Sequence, residues 1–258
     1  MNPLSIYPQF IGRLGNNLFQ VAACIGYAKE NNCGWGIRKG YRDHGFQMDQ
    51  VDRFFPWLPA CTDTFRAYNE PYFYYQKIPW HSNGVRIVGF WQSKKYWENA
   101  EDQIKRWIKV PITPGYEDFV SIHIRRGDYV QYSNSFPPVN KQYVEEAITA
   151  IYRRVLTNKF MVFSDDIEWC KQNIKPIAGE HFEYSEGRNE FEDLSMMASC
   201  GHHIISNSTL AWWAAYLGHN PDKTVVSPHH LNWFGPANPH RENTFDLLPK
   251  EWIQIKFR

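Results

Sequence analysis

No stretch of the 258-residue chain approaches the ~18 apolar residues that a membrane-spanning helix needs. The N-terminal MNPLSIYPQF lacks both the charged start and the long apolar run of a secretory signal. Excess charge of one sign is also missing: 28 Lys+Arg face 27 Asp+Glu, a net of +1. A nucleic-acid binder would carry a basic surplus, so that class of partner is excluded and any phosphate grip must be local. Cysteines are few and irregular (Cys24, Cys33, Cys61, Cys170, Cys200), with no CxxC pair. Five thiols at such spacing argue against a disulfide framework and for a reducing, cytoplasmic setting. No internal repeat or low-complexity tract shows. The expectation is a soluble cytoplasmic protein without a transmembrane segment, with which peripheral membrane association is compatible.

Aromatic residues, by contrast, are plentiful at 17% of the chain, with 11 Trp and 15 Tyr. Aromatic faces stack on the C–H faces of sugars, which admits a carbohydrate partner. They also fill cores, and many of these recur at helical spacing.

Pattern divides the chain in two. Residues 4–8 read as a strand, and Ile11-Gly-Arg-Leu-Gly-Asn-Asn17 as a glycine turn. Leu18, Val21, Ala22, Ile25 and Ala28 form one helical stripe, with Asn17 as its cap and Gln20 completing a capping box. Residues 35–80 resist assignment. Residues 85–90 read as a strand and 93–108 as an amphipathic helix. Val110-Pro-Ile-Thr-Pro-Gly115 breaks regular structure twice, marking halves of 1–112 and 113–258. The second half alternates strands (119–124, 160–164, 181–184, 203–206, 224–227) with helices (141–156, 166–174, 190–200, 209–217). Gly201 and Gly218 stand where helix C-terminal glycines belong. This alternation implies α/β architecture with a parallel sheet, whose ligands sit beyond the C-terminal ends of the strands.

Four clusters lie at such ends. In Ser121-Ile-His-Ile-Arg-Arg-Gly-Asp-Tyr129, two arginines emerge from an apolar strand beside a carboxylate. Arginine suits a diphosphate, since its planar donors bind oxygens in pairs, and a fixed cation stabilises a departing phosphate. The same residues could equally close a loop as an Arg–Asp ion pair. In Ile205-Ser-Asn-Ser-Thr209, a strand runs into hydroxyl and amide residues at a helix N-terminus, an anion site by its free N–H groups; a plain N-cap at Asn207 or Ser208 is the alternative. Phe163-Ser-Asp-Asp-Ile-Glu168 ends a strand on two carboxylates. Asp165 with Glu168 reads as a capping box, or Asp165 as a partner for a base edge or ribose. A metal at Asp165 and Asp166 would need further converging oxygens, so none is expected. Gly12-Arg-Leu-Gly-Asn-Asn17 offers backbone approach to a ligand and a cation at Arg13. The pairs His202-His203 and His229-His230 read as structural, because neighbours on a strand point to opposite faces.

Together these segments resemble the α-1,2-fucosyltransferases of glycosyltransferase family 11. The matches are GRLGNNLFQVAA from Gly12, Gly89-Phe-Trp-Gln-Ser-Lys-Lys-Tyr96, His123 to Tyr129, Ser164 to Trp169, and Asn207 to Trp213. Arg13 and Asn17 depart from that family's usual glycine and glutamine, and Arg13 resembles the related turn of protein O-fucosyltransferases.

The resemblance implies a GT-B-like fold of two Rossmann-like halves with the active site in the cleft between them. The first half would be the acceptor side and the second would bind the GDP-sugar. It implies GDP-fucose as co-substrate, inversion at the anomeric carbon, no cofactor and no metal. A glycan or glycolipid acceptor, such as O2 of a terminal galactoside in a surface-glycan precursor, would complete the reaction. Arg125 would bind the diphosphate, with Arg126 and Asp128 supporting the loop and His123 near the ribose or phosphate. Asp165 would recognise the base beside Ser164, and Asn207, Ser208 and Thr209 the phosphates. Gly12, Arg13, Gly15 and Asn16 would approach the donor. Asp128 is the candidate base, and Asn16 a group that orients the hydroxyl. Another linkage, another GDP-sugar, or a glycan-binding protein without catalysis are the alternatives.

Overall fold

The computed structural model of the chain describes residues 4–39, 50–176 and 179–257. Residues 40–49, part of the unassigned stretch 35–80, lie outside it. The chain divides into two compact units, Met1–Lys109 and Val110–Arg258. Among the described residues, no helix is long and apolar enough to cross a membrane.

The first unit runs β1 (Leu4–Gln9), α1 (Leu14–Glu30), β2 (Gly34–Trp35), α2 (Gln50–Phe54), β3 (Ala67–Asn69), β4 (Val85–Val88) and α3 (Glu101–Trp107). Its sheet has the order β2-β1-β4-β3, with every pair parallel. Helix α1 begins at Leu14, not after Asn17, and its N-cap is Arg13. The cause is local. Gly12 takes a left-handed φ of 81°, which turns the chain tightly enough for the helix to start early. Asn17 is then a buried first-turn residue whose amide donates to Gln20 Oε1 at 3.2 Å. The helix expected over 93–108 is interrupted: 3₁₀ turns cover Lys94–Tyr96 and Glu98–Ala100 before α3. Buried Trp97 sits between them with non-helical backbone. The segment also presses on α1, since a Cβ at Gly26 would lie 1.9 Å from the Tyr96 carbonyl oxygen.

The second unit runs β5 (Phe119–Ile124), α4 (Gly127–Gln131), α5 (Lys141–Tyr152), β6 (Lys159–Ser164), α6 (Ile167–Asn173), β7 (His181–Tyr184), α7 (Glu190–Ser199), β8 (His202–Ile204), α8 (Thr209–Leu217), β9 (Val225–Pro228) and β10 (Ile253–Ile255). The six-stranded order is β10-β9-β8-β5-β6-β7, again all parallel. Counted from the unit's first strand, this is the 3-2-1-4-5-6 arrangement of the dinucleotide-binding fold. Strand β5 lies at its centre and is buried along its whole length, as expected of a parallel strand covered on both faces. Val120, Ile122 and Ile124 pack with Tyr143, Val144, Ala147 and Ile151 of α5. Each such fully buried aliphatic contributes roughly 1.5–3 kcal/mol.

The opposite face of β5 carries Ser121 and His123, and burial there demands partners. The Ser121 hydroxyl pairs with His203 Nδ1 at 2.8 Å, and His123 Nδ1 with the Ser206 hydroxyl at 2.8 Å. Gly201 and Gly218 follow α7 and α8 but do not adopt left-handed caps. Close approach explains them: a Cβ would lie 1.9 Å from the Glu117 carbonyl oxygen at Gly201, and 2.6 Å from His203 Nε2 at Gly218. All five cysteines are free thiols.

Candidate functional site

The second unit's connections move outward from β5 through β6 to β7, then return to the far side of β5 at β8. This reversal falls between β5 and β8, where open α/β sheets leave a crevice at the strand C-termini. The β5 end supplies Arg125, Arg126 and α4. The β6 end supplies Ser164, Asp165 and Asp166, and the β8 end Ser206 to Thr209.

The two arginines are held by carboxylates. Arg125 contacts Asp128 Oδ1 at 2.5 Å and Asp165 Oδ2 at 2.7 Å. Arg126 Nε donates to Asp166 Oδ2 at 3.0 Å, and its backbone N–H to Asp165 Oδ1 at 2.8 Å. Its guanidinium also lies 3.7 Å from the centroid of the Trp169 ring, a cation–π contact. Gly127 permits this closeness, because a Cβ there would stand 2.3 Å from Asp165 Oδ2. The loop therefore forms the Arg–Asp ion pair that its sequence allowed. Two arginines against three aspartates leave this cluster at −1. Asp128 is its most exposed carboxylate, at 47%, against 27% for Asp165 and 40% for Asp166.

Asp165 thus serves both arginines, and Asp166 is the cap of α6, accepting Trp169 N–H at 3.2 Å. The capping box expected from Asp165 and Glu168 is not formed; Glu168 pairs with Lys171 instead. The Ser164 hydroxyl accepts the Asp166 N–H at 3.0 Å.

His123 is buried, and that burial, reinforced by the neighbouring Arg125 charge, pushes its pKa down to about 3. It is a neutral imidazole at pH 7, bound to Ser206 on the β8 side. Tyr129 strengthens the same seam, its hydroxyl donating to the Asn207 carbonyl at 3.1 Å. The Asn207 side chain is committed inward, donating to the Pro137 and Trp233 carbonyls at 3.0 Å each. Ser208 occupies the N-cap of α8 but makes no side-chain capping bond, and the first turn holds no acidic residue. The hydroxyl of Ser208, partly exposed Thr209 and the free N–H groups of α8 therefore form a positively polarised end suited to an anion.

In the first unit, Gly12, Arg13, Gly15 and Asn16 lie at the C-terminal end of β1. Arg13 is exposed at the N-cap of α1, whose first turn has no acid. A cation at that end opposes the helix dipole, an arrangement that an anionic ligand would relieve. Asn16 Oδ1 accepts from Gln92 Nε2 at 2.9 Å. Gln20 ties the β1 and β4 ends together, donating to the Ile11 and Gly89 carbonyls at 3.1 and 2.9 Å. Glu70 fastens the turn after β4, its two oxygens accepting the Phe90 and Trp91 N–H groups at 2.7 and 3.0 Å. Trp91 has a φ of 57° there, and a Cβ at Gly89 would collide with Glu70. Sequence reasoning missed Glu70 and Gln92. Gln92 stands inside the Gly89–Tyr96 motif, but Glu70 belongs to no motif.

Among the described residues, no group of three or more His, Cys, Asp or Glu side chains could hold a metal ion.

The sequence pattern of glycosyl transferase family 11 matches residues 57–256. The chain is 27% identical to an alpha-1,2-colitosyltransferase of Escherichia coli, over 97% of this chain and 99% of that protein. It is 34% identical to galactoside alpha-(1,2)-fucosyltransferase 1 of Saimiri sciureus over 38% of this chain, a stretch that spans only 28% of that relative. A solved structure of Arabidopsis thaliana FUT1 in complex with GDP is similar with a TM-score of 0.51 at 14% identity, covering 98% of this chain and 76% of that one. That likeness concerns the fold alone, and it agrees with the GT-B-like α/β class read from the sequence.

Proposed function

Because the chain belongs to glycosyl transferase family 11, we propose that it moves L-fucose from GDP-fucose to a glycan hydroxyl, O2 of a terminal galactoside. The observation that carries this reading is the β5–β8 crevice, at which Arg125 stands at the end of β5 and the N-terminus of α8, with no side-chain cap and no acid in its first turn, follows β8. The names of the relatives supply the sugar and the linkage.

The acceptor oxygen attacks the anomeric carbon, and the bond from that carbon to the β-phosphate oxygen breaks, with inversion. GDP leaves with the bonding pair. Arg125 and the α8 N–H groups stabilise the charge that develops on it, the work a metal ion would otherwise do, so no metal and no cofactor takes part. Arg126 and Asp165 hold the loop. Neutral His123 offers a hydrogen bond without adding charge, and Ser208 and Thr209 offer hydroxyl donors. Asp128 must leave Arg125 as the diphosphate arrives, which places its carboxylate free to take the acceptor's proton. Asn16, fixed by Gln92, orients the hydroxyl. The protein works in the cytoplasm on a soluble or membrane-linked glycan precursor.

A second reading takes the donor as GDP-colitose, whose sugar is fucose without its 3-hydroxyl. It is favoured by the nearly full-length match to the colitosyltransferase. Turnover measured with both donors decides between them. GDP must raise the melting temperature, Arg125→Ala must lower kcat by about 10²–10³, and activity must persist in excess EDTA. Absence of the GDP shift, wild-type turnover in Arg125→Ala, or EDTA loss restored by a divalent ion would each overturn the corresponding part.

A further inference from the structure

The aromatic surplus is not used up by the cores. Between β3 and β4 the first unit carries the run Pro71-Tyr-Phe-Tyr-Tyr-Gln76, which has no charged side chain. Phe73 is buried at 3% exposure, whereas Tyr72 just before it is 53% exposed. Tyr72 and Tyr74 flank the inward Phe73 and stack on each other, with centroids 5.1 Å apart and planes 11° apart. Tyr74 covers one face of Tyr72, so the exposure of Tyr72 belongs to its other face and its edge. A lone exposed aromatic on a surface needs no explanation. Two rings held parallel do, because fixing them costs rotamer freedom.

The pair is held at the C-terminal edge of the sheet. Two contacts bracket Tyr72, and both end on Phe90. Glu70, two residues earlier, accepts the Phe90 N–H at 2.7 Å, and Phe73, one residue later, packs on the Phe90 ring with centroids 6.3 Å apart. Phe90 stands two residues before Gln92, whose amide donates to Asn16 Oδ1 at 2.9 Å. The stacked tyrosines and Asn16 therefore share one edge of one sheet. Only β4 separates β3 from β1 in that sheet, an interval of roughly 10 Å across two strand spacings. A single pyranose ring is narrower than that.

We infer that the exposed face of Tyr72 is an acceptor subsite, stacking a neutral sugar residue of the glycan beyond the one that Asn16 orients. This rests on the glycan-transfer reading above. A pyranose presents apolar C–H on one face and hydroxyls around its edge, so the face can meet a tyrosine ring while the hydroxyls stay in water. An exposed, shallow platform suits that better than it suits a wholly apolar ligand. Because Pro71 to Gln76 carry no charge, an acidic sugar finds no ion partner in the run. Tyrosine also offers contact area at low entropy cost, and the underlying Tyr74 has already fixed the ring. Binding energy from such a remote sugar holds the reacting one in place.

Saturation-transfer NMR titration of the GDP-saturated protein tests it, with methyl β-D-galactoside, lactose and lacto-N-tetraose as probes. Wild type should bind at least one of the longer galactosides more tightly than the single ring. Tyr72→Ala should weaken that binding about 2- to 12-fold, with the affinity for methyl β-D-galactoside and the GDP thermal shift unchanged. Tyr72→Phe, which keeps the flat face, should bind as wild type does. Equal wild-type affinity for one ring and for the longer glycans would overturn the assignment. So would wild-type affinity in a folded Tyr72→Ala, an equal loss for the single ring, or an equal loss in Tyr72→Phe. If Tyr72→Ala melts early, Tyr72→Leu, apolar but without a flat face, decides in the same way. Turnover with GDP-fucose and GDP-colitose is scored separately. Length-dependent binding that needs Tyr72, without turnover, would sink the transfer reading and leave the sugar-stacking face standing. Turnover on galactosides without that dependence would sink the subsite alone.

Discussion

Replacing Asp128 with asparagine separates two roles that one carboxylate could play. Asp128 occupies Arg125 at 2.5 Å and helps set the cluster of Arg125, Arg126, Asp128, Asp165 and Asp166 at −1. A diphosphate must displace it. Since Asp128 is nearly half exposed, the pair is worth only ~0.2–1 kcal/mol. Asp128→Asn removes that competition and should tighten GDP binding about 1.4- to 5-fold. The gain should shrink as salt screens the pair. If Asp128 also takes the acceptor's proton, kcat should fall by about 10²–10⁴ in the same variant. Isothermal titration with GDP reads the first effect, and steady-state turnover with GDP-fucose the second. Tighter GDP binding with unchanged kcat would leave Asp128 a competitor alone. GDP binding weakened tenfold or more would refute the reasoning, because Asp128 would then be shaping Arg125 for the phosphate instead of withholding it.

Other perturbations probe the supporting structure. Gly127→Ala puts a methyl 2.3 Å from Asp165 Oδ2, so it should weaken GDP binding, whereas Gly201→Ala, jammed against a backbone carbonyl, should lower the melting temperature without changing GDP affinity in the folded fraction. His123 and His203 both have pKa values depressed to about 3 by burial, against about 6.5 unfolded. Between those values the unfolded chain binds more protons, so stability falls as pH drops. At pH 5 the loss is about 2 kcal/mol per histidine, about 4 for both, read as a lower urea midpoint than at pH 7.5; an unchanged midpoint would contradict the burial argument. Gln92→Ala, which frees Asn16, should raise KM for the acceptor while leaving GDP binding intact, as measured by initial rates and calorimetry.

The second unit was largely legible because its signals are local. The apolar alternation of 119–124 and the block 209–217 give β5 and α8 with the observed bounds. The first unit resisted because β2 and β3 span two and three residues, too short for any periodicity to show. Asn17 looked like a cap because its residue type favours one, yet the left-handed Gly12 let the helix begin four residues sooner. Glycines 201 and 218 read as caps by position, whereas tertiary contacts required them. At the site, the Arg125–Asp128 pair could be read from i,i+3 spacing. Asp165 as partner of both arginines could not, because only the pairing of β5 with β6 brings residues forty apart in sequence together. Glu70 was invisible for the same reason: it acts on backbone N–H groups twenty residues away.

That Glu70 fastening has an evolutionary consequence. It grips the turn through amides that every residue except proline possesses, so the turn's path does not depend on the side chain at position 90. Positions 70 and 89 are locked to each other, the carboxylate filling the space that a Cβ at 89 would need, and Trp91 is sealed in the core. Phe90, only partly buried, is the slot that can drift. Descendants of this chain could alter what meets that edge of the sheet by changing one residue, without having to rebuild the loop that presents it.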